Sequence, residues 1–100
     1  MAEARIPPHS IEAEKAVLGA LLTENDIYDS VSNIVNRNDF YRDAHRIIYE
    51  AIENIVRRGN RRVDMVLLTE ELTRMKKLDE VGGINYIAEL TNDSMAAFNV

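Results

Sequence analysis

The sequence predicts an all-α domain: a compact orthogonal bundle of about five helices plus the start of a sixth. Three observations carry this. The longest periodic stretch, DFYRDAHRIIYEAIENIVRRG at 39–59, places Ala44, Ile47, Ile48, Ala51, Ile52 and Ile55 at i, i+3, i+4, i+7, i+8 and i+11. That spacing draws one apolar stripe along about four helical turns. Helix start signals recur ahead of apolar runs: Ser10, an Asn or Asp before Ile27, Asp39, Asp64, and Asp93 or Ser94. No segment shows period-two alternation bounded by turn residues. RRVDMVLL contains a brief β-like run, but Asp64 and the helical stripe after it argue against a strand.

Residues 1–9 are expected to form a flexible lead-in, because Pro7-Pro8 cannot continue a helix backwards and holds the chain extended. Ser10 caps a first helix over 11–22, with Glu12 and Glu14 in its first turn. Ala13, Val17, Ala20 and Leu21 make one face, widened by Leu18 and Leu22. Gly19 lies inside this helix, where glycine costs about 1 kcal/mol against alanine. Close approach of a neighbouring helix and a merely tolerated glycine are both open. A second helix over 26–36 aligns Ile27, Val31, Ile34 and Val35 and leaves Asp29, Ser30, Ser32 and Asn33 to solvent. Asp39 then caps a short turn that carries Phe40 and Tyr41 into the core as a packing plug.

The central helix follows. Asp43 at its start and Arg57 and Arg58 at its end suit the macrodipole, and Gly59 supplies a left-handed stop. Arg46 with Glu50, and Glu53 with Arg57, are opposite charges at i, i+4 on the outer face. Asp64 caps a fourth helix over 65–77, with Met65, Leu68, Leu72 and Met75 inward, Glu70 and Glu71 outward, and Lys76-Lys77 closing it. Gly82-Gly83 is a forced turn, since only glycine enters positive φ freely. A fifth helix over 83–91 puts Ile84, Ile87, Ala88 and Thr91 on one side and Tyr86 and Leu90 on another. A sixth segment over 95–100 is capped from 92–94. The expected organisation is a lead-in at 1–9, a globular head at 10–94, and the start of a further helix at 95–100.

One hundred residues make one domain. The absence of Cys removes disulfides and thiolate metal sites together. The net charge of −5 weighs against a nucleic-acid clamp, whose affinity rests on phosphate contacts, although a local basic patch stays open. Trp is absent and aromatics are few, so a stacking platform for single strands is poorly supplied. No apolar run approaches the roughly 20 residues that cross a bilayer, and the first residues lack the apolar core of a signal peptide. Cytoplasm, with no membrane partner, is the expectation.

The potential nucleophiles are Ser, Thr and Tyr, and His9 and His45 are the only imidazoles. Neither histidine has a partner at metal-ligand spacing. His45 and Tyr49, at i, i+4, are placed to hydrogen-bond across one turn, which favours a structural His45 over a catalytic one. No GxxxxGK[ST] cradle is present. No catalytic, cofactor-binding or metal-binding residue is therefore assigned. The turn carrying Arg57, Arg58, Arg61 and Arg62 is the only dense positive cluster. It reads either as a solvated turn or as a contact for an anion or acidic partner.

Three runs carry a resemblance: PPHSIEAEKAVLGALL at 7–22, DFYRDAHRIIYEAI at 39–52, and VDMVLLTEEL with LDEVGGINYIAEL within 63–90. Together, and in this order, they resemble the N-terminal domain of the bacterial DnaB-type replicative DNA helicase. The resemblance implies a helical head followed by a helical hairpin, with six copies forming a collar on which primase docks. It implies that ATP and magnesium belong to a motor domain absent from this stretch, so the fragment itself is expected to be non-catalytic. Implied partners are primase, further copies of the chain, a helicase loader as a further candidate, and DNA through the full-length ring. The fragment is expected to be a monomer or weak dimer.

The expected protein-interface residues are Ile84, Tyr86, Leu90, Met95, Phe98 and Val100. An aromatic with an aliphatic neighbour, left over once the core is filled, is a common interface anchor; the other reading is that Tyr86 caps the core edge. The alternative function is a small helical DNA-binding domain using the Arg57 to Arg62 turn.

Overall fold

Ser10 caps the first helix, its Oγ accepting the Ala13 N–H at 3.1 Å. A computed structural model describes residues 10–24, 26–60 and 62–92 in full and the backbone of 93–98. The expected lead-in at 1–9, Val100, and the side chains of Met95 and Phe98 lie outside the described residues. The helices are α1 (Ile11–Thr23), α2 (Tyr28–Ser32), α3 (Asp43–Arg57), α4 (Met65–Met75) and α5 (Gly83–Phe98), with a 3-10 turn at Arg37–Asp39. No strand occurs among the described residues, so the all-α expectation holds.

The core is built on α3. Ile48, Tyr49, Ala51, Ile52 and Ile55 are buried along it. α4 covers one side with Leu68 and Leu72, and α1 and α5 pair extensively and contribute Leu18, Leu21, Leu22, Ile87 and Leu90. The buried stripe is turned slightly from the expected one. Ala44 and Ile47 are half-buried, while His45 and Tyr49 lie fully inside. Tyr49 is accommodated because its hydroxyl donates to the Val35 carbonyl at 3.0 Å, and burial, with Tyr28 nearby, pushes it up to about 12. On α1 the inner face is Leu18, Gly19, Leu21 and Leu22, whereas Ala13 is exposed. A helix with apolar residues on most sides does not choose its inner face by pattern. Gly19 is buried on α1.

The second helix is much shorter than expected. It starts at Tyr28, with Ile27 before it giving no side-chain cap, and ends at Ser32, and Ile34 stands 81% exposed. Asp26 has φ 63, a left-handed joint that prevents an earlier start. The Ser32 hydroxyl bonds back to the Asp29 carbonyl, an alternative to continued helix that Ser and Asn residues offer. Asn36 Oδ1 then accepts the Asn38 N–H while Asp39 Oδ2 accepts the Asn36 N–H, both at 2.9 Å, which locks the 3-10 turn. Phe40 enters the core from that turn; Tyr41, expected beside it, is on the surface.

One further expectation changes at the other end. The fifth and sixth helices are one, α5, which runs unbroken through Asn92, Asp93 and Ser94. Capping residues weakly oppose a helix interior, and here the helix already nucleated at Gly83 propagates past them. The Gly82-Gly83 turn is as expected, with φ of 112 and 75. At Gly82 a Cβ would stand 2.8 Å from Tyr86 Cβ, so a side chain there is excluded by sterics as well as by φ.

Ile52→Ala and Ile48→Ala each delete a fully buried side chain and are expected to cost about 2–5 kcal/mol in chemical denaturation. A loss under about 1 kcal/mol for both would contradict the packing of α3.

Candidate functional site

His45 stands in the first turns of α3, where the helical phase that buries Ile48 and Ile52 also turns its ring inward, and it is 0% exposed. A buried imidazole needs partners for both nitrogens. Nδ1 lies 2.7 Å from Glu14 Oε1 of α1, and Nε2 lies 2.6 Å from the Tyr86 hydroxyl of α5. The expected partner, Tyr49, instead bonds Val35. A carboxylate only accepts, so Nδ1–H donates to Glu14, and in the neutral ring Nε2 accepts from Tyr86 O–H. Arg42 Nη1 in turn donates to the Tyr86 oxygen at 3.2 Å. The chain of donors thus runs Arg42, Tyr86, His45, Glu14, and links three helices. Phe40 meets the His45 ring edge-on, and Tyr86 stacks on it with 13° between planes.

The electrostatics fit this assignment. Burial holds the His45 imidazole below its ordinary value, against the opposing pull of Glu14. Burial raises the Glu14 carboxyl, but the Tyr41 N–H bond and His45 together outweigh it and leave Glu14 below its ordinary value. Glu14 Oε2 accepts that Tyr41 N–H at 2.8 Å. At the outer edge Lys15 pairs with Glu89 at 2.6 Å and sits 5.9 Å from the Tyr86 ring centroid.

A second ionic cluster joins α3 to α4. Glu71, expected to project outward, is 3% exposed. Arg58 Nη1 donates to its Oε1 at 2.5 Å and Nη2 to its Oε2 at 3.3 Å, while Asn54 Nδ2 donates to Oε2 at 3.1 Å. Hydrogen bonding from Arg58 holds this carboxyl below its ordinary value. Arg57 donates to Asn54 Oδ1 at 3.1 Å. Two arginines of the basic cluster therefore carry hydrogen bonds at the helix end, to Asn54 and Glu71, while both remain exposed. The outer-face pairs also differ from expectation: Arg46 pairs with Asp43, and Glu53 with Arg37 at 2.9 Å. A tertiary partner displaces the i, i+4 neighbour of Glu53, and an i, i+3 neighbour displaces that of Arg46, because an exposed pair of that kind is worth only a few tenths of a kcal/mol.

The expected interface residues separate. Ile84 is 52% exposed at the start of α5. Tyr86 is half-buried and belongs to the His45 network, the edge-capping role. Leu90, expected at the surface, is 0% exposed among the core residues. The correction has a simple cause: Ile87 and Leu90, three residues apart, share the face that packs on α1, and Ile84 lies at its margin. Sequence reasoning missed Glu14 and Arg42 because their partners lie 27 to 44 positions away. Among the described residues no group of three His, Cys, Asp or Glu side chains is placed to hold a metal, and no helix is long and apolar enough to cross a membrane. What this arrangement does is lock helices together.

The network makes stability depend on pH. As pH falls through about 6.5 the unfolded chain takes up a proton at His45 before the folded chain does, so stability is full above that pH and declines below it. Glu14 acts in the same sense, its contribution full above its ordinary value of 4.5 and lost as pH falls through the lower folded value. The melting temperature is therefore expected to drop between about pH 7.5 and 5.5, with a shallower slope in His45→Gln. Equal slopes would contradict the network. Tyr86→Phe leaves Nε2 without its donor and is expected to cost about 1–3 kcal/mol.

Comparison with known proteins places this architecture. The family described as DnaB-like helicase N terminal domain matches residues 6–100. The chain is 44% identical over 96 residues to the replicative DNA helicase DnaB of Geobacillus stearothermophilus, covering 96% of this chain and 21% of that protein. It is 39% identical over 95 residues to DnaB of Pasteurella multocida, covering 95% of this chain and 20% of that protein. It thus spans about a fifth of the length of these relatives. The crystal structure of the N-terminal domain of DnaB helicase from Mycobacterium tuberculosis aligns with a TM-score of 0.82 at 36% identity, over 87% of this chain and 60% of that one. With its helical head and a family match along nearly its whole length, the chain belongs to the DnaB-like helicase N-terminal domain family.

Proposed function

We propose that this domain is the assembly and primase-docking head of a hexameric replicative DNA helicase. The observation that carries the reading is the family match over 6–100 on a domain whose buried polar groups are spent on holding helices together. A scaffold needs a rigid body and an outward face more than a reactive site. In this reading ATP and magnesium are bound by a motor domain elsewhere in the whole protein, DNA passes through the assembled ring, and a helicase loader is a further candidate partner. The head by itself is non-catalytic, and it is a monomer or weak dimer in dilute solution.

Ile84 is the residue of the expected interface set that the described surface offers. The DNA-binding alternative is weakened by the bonds that Arg57 and Arg58 already make to Asn54 and Glu71. In the full-length helicase, Ile84→Asp is expected to weaken primase binding at least tenfold, or about 1.4 kcal/mol, with an unchanged melting temperature. Leu90→Ala is expected to cost stability instead, about 2–5 kcal/mol. Primase titration and mass measurement of the ring check both. Unchanged primase affinity and unchanged ring mass in Ile84→Asp would move the docking surface elsewhere.

A further inference from the structure

The line of bonds from Arg42 through Tyr86 and His45 to Glu14 has fixed ends, because a guanidinium only donates and a carboxylate only accepts. With neutral His45 its three bonds use three donors and three acceptors without remainder. The two interior members can reverse. A proton taken up at Nε2 turns that atom from acceptor to donor, and it then faces the Tyr86 O–H across 2.6 Å. The hydroxyl has to turn away, and its oxygen becomes the acceptor for two cations, the imidazolium at 2.6 Å and the Arg42 guanidinium at 3.2 Å. Like charges that converge on one oxygen do not both stay. His45 is fully buried and held by Glu14, whereas Arg42 is exposed and can hydrate, so Arg42 is the one that leaves. The other charges around the ring are engaged elsewhere. Lys15 of α1 pairs with Glu89 of α5, Arg46 of α3 pairs with Asp43, and Phe40 is apolar.

We propose that His45 is a proton-operated latch: neutral, it holds the Tyr86 hydroxyl so that its oxygen accepts from Arg42, and protonated, it takes that oxygen itself and releases Arg42 to solvent. The proton balance closes. The ring gains one proton, at Nε2, and donates it to the Tyr86 oxygen. Nδ1–H stays on Glu14, and that contact becomes an ion pair. The Tyr86 O–H turns to water at the place Arg42 vacates, which Tyr86 reaches because it is half-buried at the core edge. The tie between the residue ahead of α3 and the start of α5 is cut, while α1 stays bonded to α3. The open latch presents a free guanidinium and a hydrated phenol on the surface near the start of α5. Burial of the ring, with Arg42 and Lys15 acting in the same sense, sets the change below the ordinary imidazole value of about 6.5. The bistable element is local, a hydroxyl and a guanidinium, and the apolar core around Ile48 and Ile87 has no part in it.

The test is a pH titration of the whole 100-residue chain by nuclear magnetic resonance. It reads the His45 ring nitrogens, the Arg42 side-chain nitrogens and the Tyr86 phenol carbon, with the Leu68 and Ile87 methyls reporting on the core. Above the ordinary imidazole value the ring nitrogens are expected to show the proton on Nδ1. As the pH falls, the Arg42 and Tyr86 signals are expected to move with the His45 midpoint while the core methyls stay in place. In His45→Gln that step in the Arg42 and Tyr86 signals is expected to vanish. In Arg42→Met the His45 midpoint is expected to rise, because the competing cation is gone. Arg42 signals that stay flat through the His45 midpoint of the parent chain would overturn the proposal, whichever variants fold. A step that persists in His45→Gln, or a His45 midpoint unchanged in Arg42→Met, overturns it equally. So does a proton on Nε2 at the start of the titration, or a collapse of the core methyls at the same midpoint, which is global unfolding without a latch.

Discussion

Ile48, Ala51, Ile52 and Ile55 lie on one face of a fifteen-residue helix, and taking that face out of water is the constraint the other helices answer. Hydrophobic burial is non-directional, so it demands cover without saying which helix supplies it. α4 takes one flank, and the α1–α5 pair takes the other. α2 contributes little burial, and it is the shortest helix with the least regular ends. Helices of five residues do not persist on propensity, so α2 extends only as far as Tyr28 and Val31 find partners on the core.

Polar groups choose among the arrangements that burial permits. His45 faces inward on the same helix and accepts only geometries that bring a carboxylate to Nδ1 and a hydroxyl to Nε2. Glu14 and Tyr86 meet that demand from α1 and α5, and so fix how both helices sit on α3. Glu71 does the same between α3 and α4 through Arg58 and Asn54. Each network is costly if one member is lost, because the remaining group stays buried and unpaired. This gives the head a rigid framework, which suits a domain whose family is defined within a much larger helicase.

The same bonds bear on function by subtraction. The basic turn looked like a potential anion contact because four arginines fall within six positions. In space, Arg58 neutralises a buried carboxylate and Arg57 bonds Asn54. The outward apolar groups that remain on the described surface, Ile34, Tyr41, Val66 and Ile84, are spread over separate elements. Single exposed apolar residues are ordinary; Ile84 is distinguished by its place in the first turn of α5, beside the Gly82-Gly83 turn.

The sequence by itself determined the helical class, the caps at Ser10 and Asp64, the glycine turn at 82–83, and the central role of the 43–57 stripe. These depend on local chemistry: side-chain periodicity, capping oxygens and the freedom of glycine act over a few residues. The family was legible too, through the three runs within 7–22, 39–52 and 63–90. Tertiary structure alone decided that Leu90 is core and Ile84 is surface, that Glu71 turns inward, and that α5 passes through its internal capping residues. It alone gave His45 its partners, which lie 31 and 41 positions away. The reason is geometric. A stripe shows that a helix has an inner face, but a face only three or four residues wide is fixed to within one side chain by the neighbour it packs on, and pairing between buried polar groups is settled only when distant segments meet.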